Sequence, residues 1–298
     1  NLSSGVMVVD GSQKIMLHNL AALSLLKIKN ILINNKVTTL LVSRNNSPIK
    51  GDVSNYDFVS NLINSIKPDY IFHFAATSNV SHEFLFENHS SISLGTINIL
   101  ESVKTYSKGS KVFIAGSAEQ FENNGEPINE FTPFKANSTY SAERIYATHI
   151  SRYFREKHNV QVYLGFFFHH DSPFRSNNHL NQRIINFVKD LSVESKDKFR
   201  IGDYSIQKEF NYSGDFMEAV WLLINQNSIY EVVIGSGKPY PISDWLELAF
   251  AKRNLDWRDW IEVDKEFQRP YEKLFSDPSL MKSLDWEPKT PMDELLNL

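Results

Sequence analysis

Lys111-Val112-Phe113-Ile114-Ala115-Gly116-Ser117-Ala118-Glu119 is the stretch on which the fold turns. Its apolar run is strand-sized, too short for a helix, and Gly-Ser ends it, the pattern of a buried strand meeting a turn. Similar runs occupy Val6 to Asp10, Val37 to Val42, Tyr70 to Phe74 and Val160 to Phe167. Between them, apolar residues recur at helical spacing: Leu20, Leu23 and Ile28; Phe58, Leu62 and Ile66; Ile97, Leu100 and Val103; Ile145, Ile150 and Phe154. Strand and helix in alternation predict an α/β fold, a doubly wound parallel sheet between helices. Beyond about residue 170 the rhythm breaks into shorter, proline-punctuated elements. Helices are expected near 180 to 192, 213 to 226 and 241 to 253, in a smaller mixed α/β C-terminal lobe over the sheet's carboxyl edge, where such folds bind ligands. The expected division is 1–168 for the sheet domain and 169–298 mostly for the substrate lobe, with some chain returning to the sheet.

Composition narrows the function classes. The 298 residues are 42% hydrophobic and 22% charged, with a net charge of −4, so the chain offers no basic footprint for nucleic acid. No cysteine occurs, which removes disulfides, thiolate nucleophiles and Cys-ligated zinc, and no metal site is expected. No apolar run approaches membrane-spanning length. The first residues, Asn-Leu-Ser-Ser-Gly, lack both a methionine and a basic region before an apolar one, so secretion is not expected and a cytoplasmic location is. Glycine is scarce: 12 residues, about 4% against a usual figure of roughly 7%.

Chemistry gathers at the expected strand ends. Ser117 and Glu119 close the quoted stretch, and Tyr140 and Arg144 follow on one face of a helix. A cation beside a phenol stabilises phenolate, and a serine hydroxyl can hold the substrate oxygen that exchanges the proton, which is acid/base equipment for hydride transfer. A strand-end serine and a surface Tyr–Arg pair would carry the same residues without chemistry. Arg44 ends the second strand, where a guanidinium can grip a 2′-phosphate, and a solvated surface arginine is the alternative. Gly51-Asp52-Val53 and Phe74-Ala75-Ala76-Thr77 close two further strands, small and acidic residues suited to adenosine and cofactor. The first turn, Asp10-Gly11-Ser12-Gln13-Lys14-Ile15-Met16, has one glycine where a dinucleotide turn needs several for N–H groups to approach pyrophosphate.

Several ordered polar stretches resemble the extended short-chain dehydrogenase/reductase family, and within it the GDP-mannose 4,6-dehydratases, over nearly the whole chain. They are Phe168-His169-His170-Asp171-Ser172-Pro173-Phe174-Arg175, Arg269-Pro270-Tyr271-Glu272, Leu284-Asp285-Trp286-Glu287-Pro288 and the approach from Gly125 to Tyr140. The resemblance implies a Rossmann-like sheet and a 4,6-dehydratase that uses and regenerates NADP, with NAD as the alternative cofactor. Tyr140 would take the C4 hydroxyl proton, Ser117 polarise that oxygen, Glu119 remove the C5 proton and help expel water from C6, and Arg144 stand for the family's lysine. Gly11, Ser12, Arg44, Asp52, Val53, Ala75, Ala76, Thr77, His170 and Arg175 would face cofactor. His169, Arg183, Lys208, Arg269 and Glu272 would face a nucleotide sugar, GDP-linked by resemblance. The short loop Asn45 to Lys50 implies at most a homodimer, made by helices near 90 to 106 and 142 to 157. Arg144 and the glycine-poor turn motivate a second reading, a degenerate relative that binds a nucleotide sugar or a protein partner without turnover.

Overall fold

The computed structural model describes residues 6–10, 14–15, 38–44, 49–173, 175, 177, 179–192, 197–264, 266–267 and 270–297. The expected helix around Leu20 to Ile28 lies outside them. The main sheet contains β1 (Val6–Asp10), β2 (Lys14–Ile15), β3 (Thr38–Ser43), β4 (Ile49–Lys50), β5 (Pro68–His73), β6 (Lys111–Ser117), β7 (Gln161–Phe167) and, after four short strands of the C-terminal lobe, Glu231–Ile234. Those four are β8 (His170–Asp171), β9 (Phe199–Ile201), β10 (Gln207–Lys208) and β11 (Asn211–Tyr212), so Glu231–Ile234 is β12. The spatial order is β12-β7-β6-β5-β1-β2-β3-β4. Among the described strands of this sheet all but one share a direction, which is the doubly wound α/β arrangement read from the alternation.

The exception is β1, antiparallel to β3 and β5. Val6 faces His73, so Val6 rather than Asp10 stands at the edge where β5 and β6 end. This departs from the uniformly parallel sheet expected. The physical reason is that Val-Met-Val-Val is apolar in either direction, so its pattern fixes a strand and leaves its polarity open.

Helices cover both faces. α1 (Tyr56–Ile66) starts where the Asn55 side chain accepts the Phe58 N–H at 2.9 Å, and ends on Lys67 in the left-handed region, φ 48°. α2 is Gly95–Tyr106. α3 (Thr139–His158) is capped by Ser138, carries Arg155, Lys157 and His158 in its last turn, and stops at left-handed Asn159. One apolar core, around Ile71, Val112 and Leu164, packs α1, α2 and α3 on one face of the sheet. A second, around Phe72, Phe113 and Tyr163, takes α5 (Ser213–Ile224) on the other, and the chain thus returns to the sheet before β12. A third core joins α4 (Leu180–Asp190) to α6 (Ile242–Ala251) around Trp245 and Phe250. None of the described helices is long and apolar enough to cross a membrane.

Candidate active site

The quoted stretch becomes β6, and its carboxyl end builds the site. Gly116 is required there by close packing: a Cβ would lie 2.5 Å from the Phe166 ring. Ser117 N–H donates to the Gln120 side chain at 3.0 Å, whose amide donates to Thr148 Oγ1 at 3.0 Å, and Thr148 in turn donates to the Arg144 carbonyl at 3.0 Å. This buried chain fixes the strand end to α3, the helix that carries Tyr140 and Arg144. Ser117 Oγ accepts the Glu119 N–H at 3.3 Å.

Arg144 is 4% exposed. Its Nε donates to Tyr140 Oη at 3.2 Å, an Nη donates to the Ala115 carbonyl, and the guanidinium lies 5.2 Å from the Tyr140 ring centroid. The positive charge therefore sits against the phenol oxygen. The planar fork reaches the strand carbonyl and the phenol together, an arrangement an ammonium would have to make as a single point.

These residues line one cavity of about 350 Å³, together with Glu119, His169, His170 and Arg175. Burial pushes the Glu119 carboxyl above its ordinary range. His170 Nδ1 lies 2.9 Å from the Phe168 carbonyl, which can only accept, so Nδ1 carries the hydrogen. Burial, with Arg175 nearby, lowers His170 to about 4 and leaves it neutral. His169 is fixed likewise by the Glu209 carbonyl at 3.0 Å, and its Nε2 accepts from Lys208 Nζ at 3.2 Å. Burial first and Lys208 second hold His169 well below its usual value. Asp171 accepts from Asn181 and lies 3.6 Å from Arg175 Nε, while burial raises its carboxyl.

Other expected site residues scatter. Lys208 is off this cavity, bonded to His169 and to Asn181 at 3.3 Å, and burial lowers it to about 8. Arg183 stacks on Phe199 at 5.2 Å, and Glu272 is exposed. Arg44 comes within 3.9 Å of Asp52, whose other oxygen accepts from Ser54 N–H at 2.9 Å. The Val53 carbonyl accepts from Asn98 at 2.9 Å. Ala75 and Ala76 are buried in the interior and Thr77 is half-buried, none of them lining this cavity. Gly11, Ser12 and Arg269 lie outside the described residues. Sequence reading gave no role to Tyr271, which lines the cavity; its only signal was its place in Arg-Pro-Tyr-Glu. Glu209 was also missed.

A doubly wound sheet with a strand-end serine and a tyrosine–cation pair at its carboxyl edge defines the extended short-chain dehydrogenase/reductase class, the epimerases and dehydratases. The chain matches the family described as GDP-mannose 4,6 dehydratase over residues 10–298 and belongs to it. It is 28% identical over 257 residues to GDP-mannose 4,6 dehydratase 1 of Arabidopsis thaliana, covering 83% of this chain and 71% of that one. The human GDP-mannose 4,6 dehydratase is 27% identical over 271 residues, covering 83% of this chain and 73% of that one. Among solved structures, the UDP-glucose 4-epimerase of Thermus thermophilus in complex with NAD superposes with a TM-score of 0.76 at 18% identity, covering 97% of this chain and 96% of that one.

Proposed function

We propose that this chain is an NADP-dependent nucleotide-sugar 4,6-dehydratase acting on GDP-mannose or a close relative. The observation that carries the reading is the convergence of Ser117, Glu119, Tyr140 and Arg144 on one cavity at the sheet's carboxyl edge. The donor set fits the nicotinamide end of a dinucleotide: a phenol held by a guanidinium, a serine hydroxyl, and a neutral imidazole with an open acceptor at His170. Arg175 supplies a cation for phosphate, and Arg44, just past the carboxyl end of β3 on the same edge of the sheet, tilts the choice from NAD to NADP. When bound, the nicotinamide accepts and returns hydride within one turnover.

The chain's own residues supply the proton chemistry. Tyr140, held by Arg144 Nε, takes the proton of the sugar's C4 hydroxyl, and Ser117 donates a hydrogen bond to that oxygen. Oxidation at C4 acidifies the neighbouring C5 hydrogen. Glu119, whose burial makes it a better base than a solvated carboxylate, takes that proton, and the C6 hydroxyl departs as water. A 4-keto-6-deoxy sugar results. A homodimer through α2 and α3, where Tyr106, Tyr146 and Tyr153 are exposed, and a cytoplasmic location belong to the same reading.

A second reading, binding of a nucleotide sugar or protein partner without turnover, is favoured by the tether of Arg144 to the Ala115 carbonyl and by the glycine-poor turn from Asp10 to Met16. One experiment separates them. Purified protein should carry nicotinamide or gain thermal stability with NADP at millimolar concentration, and Tyr140→Phe should lower turnover of GDP-mannose by about 10²- to 10⁴-fold. Absence of both cofactor signals decides for the second reading; unchanged turnover in Tyr140→Phe removes the assignment of the base.

A further inference from the structure

Expelling water across C5 and C6 needs a base at C5 and an acid at the departing C6 oxygen. Among the described residues of the cavity, the carboxylates are Glu119 and Asp171. Asp171 is committed to Asn181 and lies against Arg175. The residue before Glu119 is Ala118, so no second acid adjoins it in sequence. The cavity nonetheless holds a proton-bearing group besides Ser117 and Tyr140 that the scheme above leaves unused: the phenol of Tyr271.

Tyr271 is placed with care. The backbone that follows it is held by the Glu272 carbonyl accepting from Gln207 N–H at 3.0 Å and by the Lys273 carbonyl accepting from Asn123 at 2.8 Å. Its ring packs against both the sheet core and the C-terminal core, and the residue lines the cavity with Glu119. We propose that Tyr271 is a further catalytic residue of this chain, the acid that protonates the departing C6 oxygen while Glu119 takes the C5 proton. This inference rests on the dehydratase reading.

The step balances. The C5–H electron pair becomes the C5–C6 double bond, the C6–O bond breaks, and the oxygen leaves as water with the Tyr271 proton. The proton on Glu119 goes back to C5 as C6 is reduced, and the Tyr271 phenolate takes the proton that Tyr140 removed from the C4 hydroxyl, which restores all three groups. Burial first, and the Glu119 carboxylate second, raise the Tyr271 phenol above its ordinary value. That keeps the proton in place beside Glu119 until it is needed.

The test is Tyr271→Phe, which keeps the ring and its packing, compared with the parent. In the full chain with bound cofactor and GDP-mannose, the variant is expected to lose about 10²- to 10⁴-fold in formation of the 6-deoxy product. It should still form reduced nicotinamide and exchange the C5 hydrogen with deuterated solvent, because both precede loss of the C6 oxygen. Its melting temperature and its calorimetric affinity for GDP-mannose should match the parent's. Product formation at the parent's rate overturns the role of Tyr271 alone, as does loss of C5 exchange together with product, which assigns Tyr271 to an earlier step. A parent that forms neither reduced nicotinamide nor product overturns the dehydratase reading itself, and the role of Tyr271 with it.

Discussion

Replacing Glu209 by alanine should loosen the join between the C-terminal lobe and the sheet. Glu209 is wholly buried at the end of β10 and serves as a hub. One carboxylate oxygen accepts Ser276 N–H and Oγ–H, both at 2.6 Å. The other accepts Ser236 N–H at 2.6 Å and the Asn211 amide at 2.9 Å. Gly237 N–H also points at the first oxygen, from 3.2 Å, but has a second acceptor in Ser276 Oγ at 3.1 Å. The alanine variant therefore strips two backbone donors, of Ser236 and Ser276, of this acceptor. At about 1–3 kcal/mol for each buried donor left unmade, and with Ser236 only half-buried, the cost is about 3 kcal/mol. For a chain of this length that is a fall of about 6 °C in melting temperature. Differential scanning calorimetry reads it directly. Gly235→Ala provides an independent check, since its Cβ would meet Ser276 Oγ at 2.4 Å and Glu209 Oε2 at 2.6 Å and so push the hub apart without removing its charge. If Glu209→Ala melts within about 2 °C of the parent, the hub does not carry the join.

Other consequences can be measured on the same protein. Because burial raises Glu119 in the folded state, folding favours its protonated form, and this contribution is fully present below the unfolded value and lost as pH rises through the folded one. Glu119→Gln should therefore melt higher than the parent at neutral pH, converge with it in acid, and lose product formation; equal melting curves at all pH values would contradict the burial. Glu231 behaves oppositely: burial would raise it, but its bonds to Arg152 at 2.6 Å and Arg155 at 2.5 Å outweigh that and hold it low. Glu231→Gln should cost about 1–2 kcal/mol at neutral pH, a difference that fades as acid protonates the parent's Glu231, measured by urea midpoints.

Much of the site could be read from residue order. β6 and β7 are apolar on both faces, which only a covered parallel sheet explains, and Ser117, Tyr140 and Arg144 follow in the order the fold uses. Strand polarity was not legible at β1, because its apolar run has no direction. Nor was the side to which a cation points: Lys208 lies on a two-residue strand, where periodicity is undefined, and it turns inward to His169 instead of to the cavity. Arg183 sits one face round α4 and packs its guanidinium on Phe199. Tyr271 escaped notice because a tyrosine on an irregular segment has no pattern to betray it. Its role depends on a neighbour, Glu119, that lies far away along the chain.

The cavity wall begins at Phe74 and ends at Leu274, so its members are drawn from most of the length of the chain. A ribosome releases Ser117 and Tyr140 long before Tyr271. Until the last segment docks, the growing polypeptide holds a finished sheet edge with an open, unfinished pocket, and the closure that completes it is a contact between distant parts of the sequence, slow by its topology. Ligand binding should thus appear late and all at once during synthesis, and a ribosome stalled before Tyr271 should display a folded scaffold that holds no sugar nucleotide.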